Sequence, residues 1–155
     1  PWLRRVDLDA PVQRHGYIGE VRRMSAQYPD YPLPAPALDA EPFWEGTAAG
    51  KLLLKRCTDC GETHYYPRAI CPHCFSSNTE WYEASGKGSI YSFSVMRRAP
   101  VPYVIAYVRL EEGVTMMTNI IDCDFDTLAI DDQVEVVFHP IDGGFTLPLF
   151  TPIAA

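Results

Sequence analysis

Cys57-Thr58-Asp59-Cys60-Gly61 and, after Glu62 to Ile70, Cys71-Pro72-His73-Cys74 form a C-x2-C-x10-C-x2-C pattern in the middle of the chain. A two-residue spacer lets each cysteine pair present both thiolates to one tetrahedral ion, so the pattern predicts a small metal-stapled ribbon. Gly61 suits the tight turn that ends the first knuckle, Pro72 stiffens the second, and Phe75 stands where a matching glycine would be expected. Four soft thiolates select zinc or iron and fill the tetrahedron, which makes the ion structural; zinc is the expected metal, held by Cys57, Cys60, Cys71 and Cys74. The other reading of these thiols, two disulfides or a redox pair, needs an oxidising compartment or a thioredoxin-like βαβ context, and the sequence offers neither. His64 and His73 flank the cluster and are expected to be solvated or to lie just outside the ligands, while Tyr65, Tyr66 and Phe75 are expected to shield the sulfurs as a miniature core.

Downstream of Cys74 the texture becomes short apolar runs of period two bounded by turn residues, the pattern of a small antiparallel β unit. Six strands are predicted: Trp81–Glu83, Gly88–Val95, Tyr103–Leu110, Val114–Ile121, Gln133–His139 and Phe145–Phe150. In the second, Tyr91, Phe93 and Val95 should share one face and Ser92 and Ser94 the other. Glu111-Glu112-Gly113 reads as a tight hairpin turn. Five or six strands in roughly 70 residues favour a small closed Greek-key barrel over a sandwich.

Upstream of the ribbon, Asp39 is a candidate helix N-cap, Glu41 to Ala49 reads as a short helix with Phe43 and Trp44 on its apolar side, and Gly50 can end it. Pro29, Pro32, Pro34, Pro36 and Pro42 make the stretch from Tyr28 to Pro42 an extended strap. Residues 1–23 hold five arginines against Asp7, Asp9 and Glu20 and look foreign to the rest; they read equally as appended or upstream sequence before a native start at Met24, or as an arm that docks on a partner subunit. The expected organisation is therefore the arm at 1–23, strap and helix at 24–54, a rubredoxin-like zinc ribbon at 55–78 and a β-barrel at 79–155, a mainly β fold.

Composition narrows the function. The 155 residues are 47% hydrophobic and 21% charged, ordinary globular usage that rules out wholesale disorder. No stretch approaches the ~20 apolar residues of a bilayer span, and no basic-then-apolar leader is visible, so a soluble, unexported, cytoplasmic protein with no membrane contact is expected. Thirteen Lys and Arg against twenty Asp and Glu give a net charge of −7, which disfavours polyanion partners because nucleic-acid affinity comes largely from neutralised phosphates. Past residue 23 the imbalance widens to eight against seventeen.

Cys123 is the fifth thiol. Its neighbours Asp122, Asp124 and Asp126 disfavour a thiolate, so an inert cysteine is expected rather than a nucleophile. The sequence contains no Ser-centred elbow, phosphate-cradling glycine loop or HExxH pattern. The cations of the β unit concentrate at Lys87, Arg97 and Arg98, with Arg109 farther along; an arginine pair before Ala99-Pro100-Val101-Pro102 either holds a phosphate-bearing ligand on a stiff loop or is simply solvated.

The order of features, E-P-F-W-E-G-T-A-A-G-K-L-L-L-K-R-C, the ribbon C-T-D-C-G to C-P-H-C, the barrel entry G-K-G-S-I-Y-S-F, then P-Y-V-I-A-Y-V-R-L-E-E-G and D-D-Q-V-E-V-V-F, resembles the zinc-ribbon plus OB-fold family associated with acyl-CoA enzymes, over about Asp39 to Phe138. The resemblance implies a non-catalytic accessory subunit of a thiolase-like acyltransferase or aldolase, with the reactive cysteine and histidines in the partner. It also implies an OB part that touches acyl-CoA, for which Lys87, Arg97 and Arg98 are candidate phosphate contacts. A single-stranded nucleic-acid binder with Tyr91, Phe93 and Tyr107 as stacking platform, and a rubredoxin-like iron electron carrier, are the alternative functions.

Overall fold

A computed structural model describes residues 31–35 and 38–153; the readings made for residues 1–30 and for 36 and 37 lie outside the described residues. A 3-10 turn at Leu38–Ala40 leads into α1, Glu41–Ala48, with Pro42 in its first turn. The helix starts at Glu41 as expected and stops one residue short of Ala49, but Ala40 and not Asp39 is the N-cap, and no side chain caps it. Asp39 instead accepts a hydrogen bond from the backbone N–H of Ala69 at 3.0 Å, tying the helix entrance to the ribbon. Gly50, at φ 74, ends the helical segment as expected. Gly46 lets the helix lie close against the strand that follows, since a Cβ there would meet Leu53 Cγ at 2.7 Å.

That strand, β1 (Leu53–Cys57), pairs antiparallel with β2 (Thr63–His64) on one side and β3 (Thr79–Glu83) on the other. The predicted strand Trp81–Glu83 lies within β3, which pairs with β1 from end to end and so completes the ribbon sheet rather than entering the barrel. The other five predicted strands close the barrel: β4 (Lys87–Met96), β5 (Tyr103–Leu110), β6 (Thr115–Ile120), β7 (Gln133–Pro140) and β8 (Thr146–Pro152), in the order β4-β5-β6-β8-β7. This is the five-stranded OB arrangement. The unit is not antiparallel throughout, as the sequence had suggested: β6 pairs with β8 in parallel at Ile120 and Phe150. Strand directions cannot alternate around a ring of five, so one seam must be parallel.

Alternation of side chains fills the barrel. Val104, Ala106, Val108 and Leu110 of β5 and Met116 and Ile120 of β6 point inward and meet Ile90, Val134 and Phe150. Phe43, Leu52 and Leu54 belong to the same apolar cluster, so helix, ribbon strand and barrel share one core. Buried Thr118 satisfies its hydroxyl by donating to the Pro148 carbonyl at 3.0 Å. Described residues of the strap run over the end of the β7–β8 hairpin, where Leu33 covers Gly143 and the Tyr31 ring meets His139 edge-on at 6.2 Å.

One register detail departs from the sequence pattern. A bulge between Ile90 and Ser92 inserts Tyr91 as an extra residue in β4. Phe93 and Val95 pack on the core as predicted, but Tyr91 leaves that face and is 53% exposed, with the Arg109 guanidinium 4.6 Å over its ring. Just before the bulge, Gly88 crosses β5 so closely that a Cβ would strike the Arg109 carbonyl oxygen and crowd Val108. Gly88→Ala is therefore expected to lower stability by about 1–3 kcal/mol through overpacking against backbone. Denaturant unfolding of variant and wild type checks this.

Candidate metal centre

The two knuckles are built alike. In the first, the Gly61 N–H reaches back to the Cys57 carbonyl at 2.9 Å; in the second, the Phe75 N–H reaches the Cys71 carbonyl at 3.0 Å. Both closing residues adopt positive φ, 79° for Gly61 and 61° for Phe75. The loops then bring all four Sγ atoms within 4.8 Å of one another. Cys57 Sγ lies 3.6 Å from Cys74 Sγ, and Cys60 Sγ 3.7 Å from Cys71 Sγ. A disulfide would need about 2 Å, whereas a tetrahedron of sulfurs each about 2.3 Å from a central ion has edges of about 3.8 Å. The four predicted ligand positions are thus brought together in a cluster that could hold a metal ion, and its spacing fits a tetrahedral one.

Electrostatics favour the same arrangement. Hydrogen bonding from the Cys60 backbone leads the effects that draw the Cys57 thiol down to about 7. At Cys74 the Ser76 backbone N–H pulls down, but the Cys60 thiol, burial and the other two thiols prevail and push it up to about 12. One thiolate forms readily; gathering four requires a cation among them. Asp59 braces the assembly by accepting from Ser76 Oγ at 2.5 Å and from Asn78 Nδ2 at 3.1 Å, and these bonds hold its carboxyl below its usual range.

The histidines separate. His73 is exposed, while His64, expected to be solvated or to lie just outside the ligands, is only 3% exposed, and neither of its ring nitrogens has a hydrogen-bond partner among the described residues. It pairs in register with Lys55, whose stem is also buried and whose ammonium donates to the Arg68 carbonyl at 3.1 Å and lies 5.0 Å over Trp81. Burial lowers the His64 pKa, with the nearby Arg68 carbonyl resisting and Lys55 adding to the shift. The expected aromatic shield is also rearranged. Tyr65 and Tyr66 pack against Phe43 of α1 at 5.9 and 5.8 Å, and Tyr66 OH accepts from Trp44 Nε1 at 3.1 Å. Trp44 in turn meets Phe145 of the β7–β8 turn at 5.5 Å. Among the described residues Phe75 joins no core and is 81% exposed.

The cation set proposed for phosphates does not form one site. Lys87 begins β4, while Arg97 and Arg98 follow its other end, about 30 Å away at strand rise. Arg97 is bonded to Asp126 at 2.6 Å and stacks 6.0 Å over Phe125; Arg98 is exposed in the turn beside it. Phe125 also lines a cavity of about 410 Å³ between the start of β5 and the segment after β6, with Tyr103, Asn119, Ile121 and Cys123 among its walls. The Cys123 pKa is raised by burial, then by Asp122 and Asp124, which disfavours its thiolate. Tyr31 of the strap adds a third wall, and sequence reasoning missed this cavity because its walls come from three segments with no shared motif. No helix among the described residues is long and apolar enough to cross a membrane.

A ribbon with this cysteine geometry fused to a five-stranded OB barrel defines a class, and known proteins supply the family. Residues 44–80 match the ChsH2 rubredoxin-like zinc ribbon domain and residues 81–139 the ChsH2 C-terminal OB-fold domain. A DUF35 domain-containing scaffold protein of Methanothermobacter thermautotrophicus is 40% identical over 93 residues, 56% of this chain and 70% of that protein. The benzoylsuccinyl-CoA thiolase subunit BbsA of Geobacter metallireducens is 31% identical over 90 residues, 56% of this chain and 60% of that subunit. A solved structure described as Ltp2-ChsH2(DUF35) aldolase superposes with a TM-score of 0.72 at 33% identity, covering 77% of this chain and 98% of the matched one. The chain belongs to the DUF35 family, with the ChsH2-type ribbon and barrel. It spans 42% of the length of a probable enoyl-CoA hydratase alpha subunit of Thermomonospora curvata, to which it is 34% identical over 133 residues, or 81% of this chain.

Two outcomes follow. Cys57→Ser, which removes a fully buried donor, is expected to abolish stoichiometric metal binding and lower the melting temperature, measured by elemental analysis and calorimetry. Because His64 binds its proton less readily folded than unfolded, wild-type stability should fall as pH drops below about 6.5. His64→Phe should flatten that fall between pH 7 and 5, and an unchanged slope in denaturant unfolding would show that His64 does not contribute.

Proposed function

We propose that this protein is a non-catalytic accessory subunit of an acyl-CoA-processing, thiolase-like assembly, an acyltransferase or an aldolase, with a structural zinc ion held by Cys57, Cys60, Cys71 and Cys74. The observation that carries the reading is the cluster of four Sγ atoms, all within 4.8 Å of one another, with two separations of 3.6 and 3.7 Å that match the edges of a tetrahedral site. Its four protein donors leave no coordination position for a substrate, which is the arrangement of a structural site. The other thiol, Cys123, has its pKa raised by burial and then by the neighbouring carboxylates of Asp122 and Asp124. Support for the partner class comes from the scaffold protein, the thiolase subunit and the aldolase reported above.

The finer part of the proposal is that the barrel receives part of the CoA moiety. Of the three candidate phosphate contacts, Arg98 is the best supported, because Arg97 already spends charge on Asp126 and Lys87 lies at the far end of β4. The cavity walled by Tyr103, Ile121 and Phe125 is large enough for the slender pantetheine arm. Holding that arm would aid a partner by positioning, without chemistry of its own. The nucleic-acid alternative is weakened by the net charge of −7 and by the inward turn of Phe93, which breaks the three-ring platform.

Purified protein is expected to be colourless, to contain one equivalent of zinc, and to turn over no acyl-CoA until a thiolase-like partner chain is added. Strong visible absorption with bound iron would favour the electron carrier, and turnover by the chain alone would defeat the accessory reading. Arg98→Glu is expected to weaken CoA binding by about tenfold in calorimetry, the loss of one charge-assisted phosphate contact.

A further inference from the structure

Along β4, β5 and β6, positions buried in the core alternate with positions on the outside of the barrel, and the register shows what the outer positions hold. Tyr107 is set opposite Ser92 on one side and Met117 on the other, and Arg109 opposite Ser89 and Thr115. Tyr107 is 48% and Met117 55% exposed, although their strand neighbours Val108 and Met116 are buried. The bulge in β4 adds Tyr91 to this outer face, half exposed, with the Arg109 guanidinium 4.6 Å over its ring. Two tyrosines and a methionine thus occupy three adjacent strands on a side of the sheet that is ordinarily polar.

The charge of this face is also unusual. From Ser89 to Met96 of β4 and across the paired stretches of β5 and β6, no outward position holds a carboxylate, and Arg109 is the cation. Lys87, at the start of β4, has Glu135 opposite it and Glu111 bonded to its carbonyl. Glu111 and Glu112 follow Arg109 in the turn, where Glu112 accepts from the Ser85 N–H at 2.6 Å. Arg109 enters none of the ion pairs formed among the described residues. On a chain of net charge −7, this is an apolar patch whose charge is positive and without a carboxylate partner.

We infer that Tyr91, Tyr107 and Met117 form the docking face for a partner protein that lays apolar side chains on them and a carboxylate on Arg109. Interface cores are enriched in tyrosine, arginine and methionine and depleted of aspartate, glutamate and lysine. A guanidinium already stacked on a ring has less freedom to lose on binding. Charge complementarity selects the occupant. A second copy of the same face would enclose two arginines and no carboxylate, leaving both charges desolvated and unpaired. A polyanion draws its affinity from several neutralised phosphates, and this face offers one cation. A small molecule takes a concave site, and the outside of a barrel is convex. The inference rests on the accessory reading in requiring a partner chain, and deepens it by assigning the outer face of β4, β5 and β6 as the point of attachment.

The test uses the full chain, tagged and expressed at native level in its source, with the chain that copurifies in stoichiometric amount identified and the purified pair measured by calorimetry. Tyr107→Thr combined with Met117→Thr places β-branched residues at exposed strand positions, so zinc content and melting temperature should stay close to wild type while affinity for the partner falls by about tenfold or more. Arg109→Glu should weaken binding more at low salt than at high salt. Oxidative footprinting of the wild type needs no variant: Met117 should convert to its sulfoxide in the free chain and be protected in the pair. A folded, metal-bound double variant that binds within about twofold of wild type, or a Met117 oxidised equally in free chain and pair, overturns the docking face while leaving the accessory reading in place. Recovery of no stoichiometric chain by wild type removes both. Self-association in ultracentrifugation, or retention of single-stranded nucleic acid, that occurs without another chain and is lost in the double variant replaces the proposed occupant and equally overturns it.

Discussion

Four sulfur atoms at tetrahedral edge distances set the conditions under which the rest of the ribbon can exist. The segment from Arg68 to Asn78 is almost wholly exposed, apart from Cys71, and has no apolar interior to hold it. β2 is only two residues long, too short to be stable by pairing alone. What positions the second knuckle is the thiol cluster, assisted by Asp59 and by the carboxylate of Asp39. An ion held by this cluster would therefore couple its binding to the folding of this part.

The barrel is stabilised differently. Its strands bury a continuous apolar cluster, and that cluster extends through Leu52 and Leu54 of the ribbon approach to Phe43 of the helix. Helix α1 is short, and its stability comes from packing rather than propensity or capping. Gly46 permits the close approach to Leu53, and the Phe43 and Trp44 rings are held between Tyr65 and Tyr66 on one side and the β7–β8 turn on the other. The helix thus joins a unit built around the thiol cluster to a hydrophobically ordered one.

The features legible in the sequence were those whose physics is local. Cysteine spacing encodes ligand geometry within a few residues, and the period-two runs located every strand of the barrel and its turns. Features that depend on what comes to lie opposite in space were not legible. Tyr91 kept its period in the sequence but lost its face to a bulge, and the parallel seam at Ile120 and Phe150 arises only on closure. Trp81–Glu83 carries a strand pattern that does not say which sheet will take it. His64 reads as solvated or just outside the ligands, and its burial appears only when β2 pairs with β1 and sets it opposite Lys55. Lys87 and Arg97 are near in sequence, yet an extended strand is the conformation that carries them farthest apart.

Trp44 gives the molecule a fixed gauge. One indole donates its N–H to the ribbon and presses its ring edge on the barrel, so neither half can swivel without breaking a contact to the same side chain. The knuckle tip and the loops around the barrel cavity are consequently set at a constant span, like the jaws of a locked caliper. A protein gripping both would have to match that span, and selection among similar surfaces would then be a matter of measured reach as much as of chemistry.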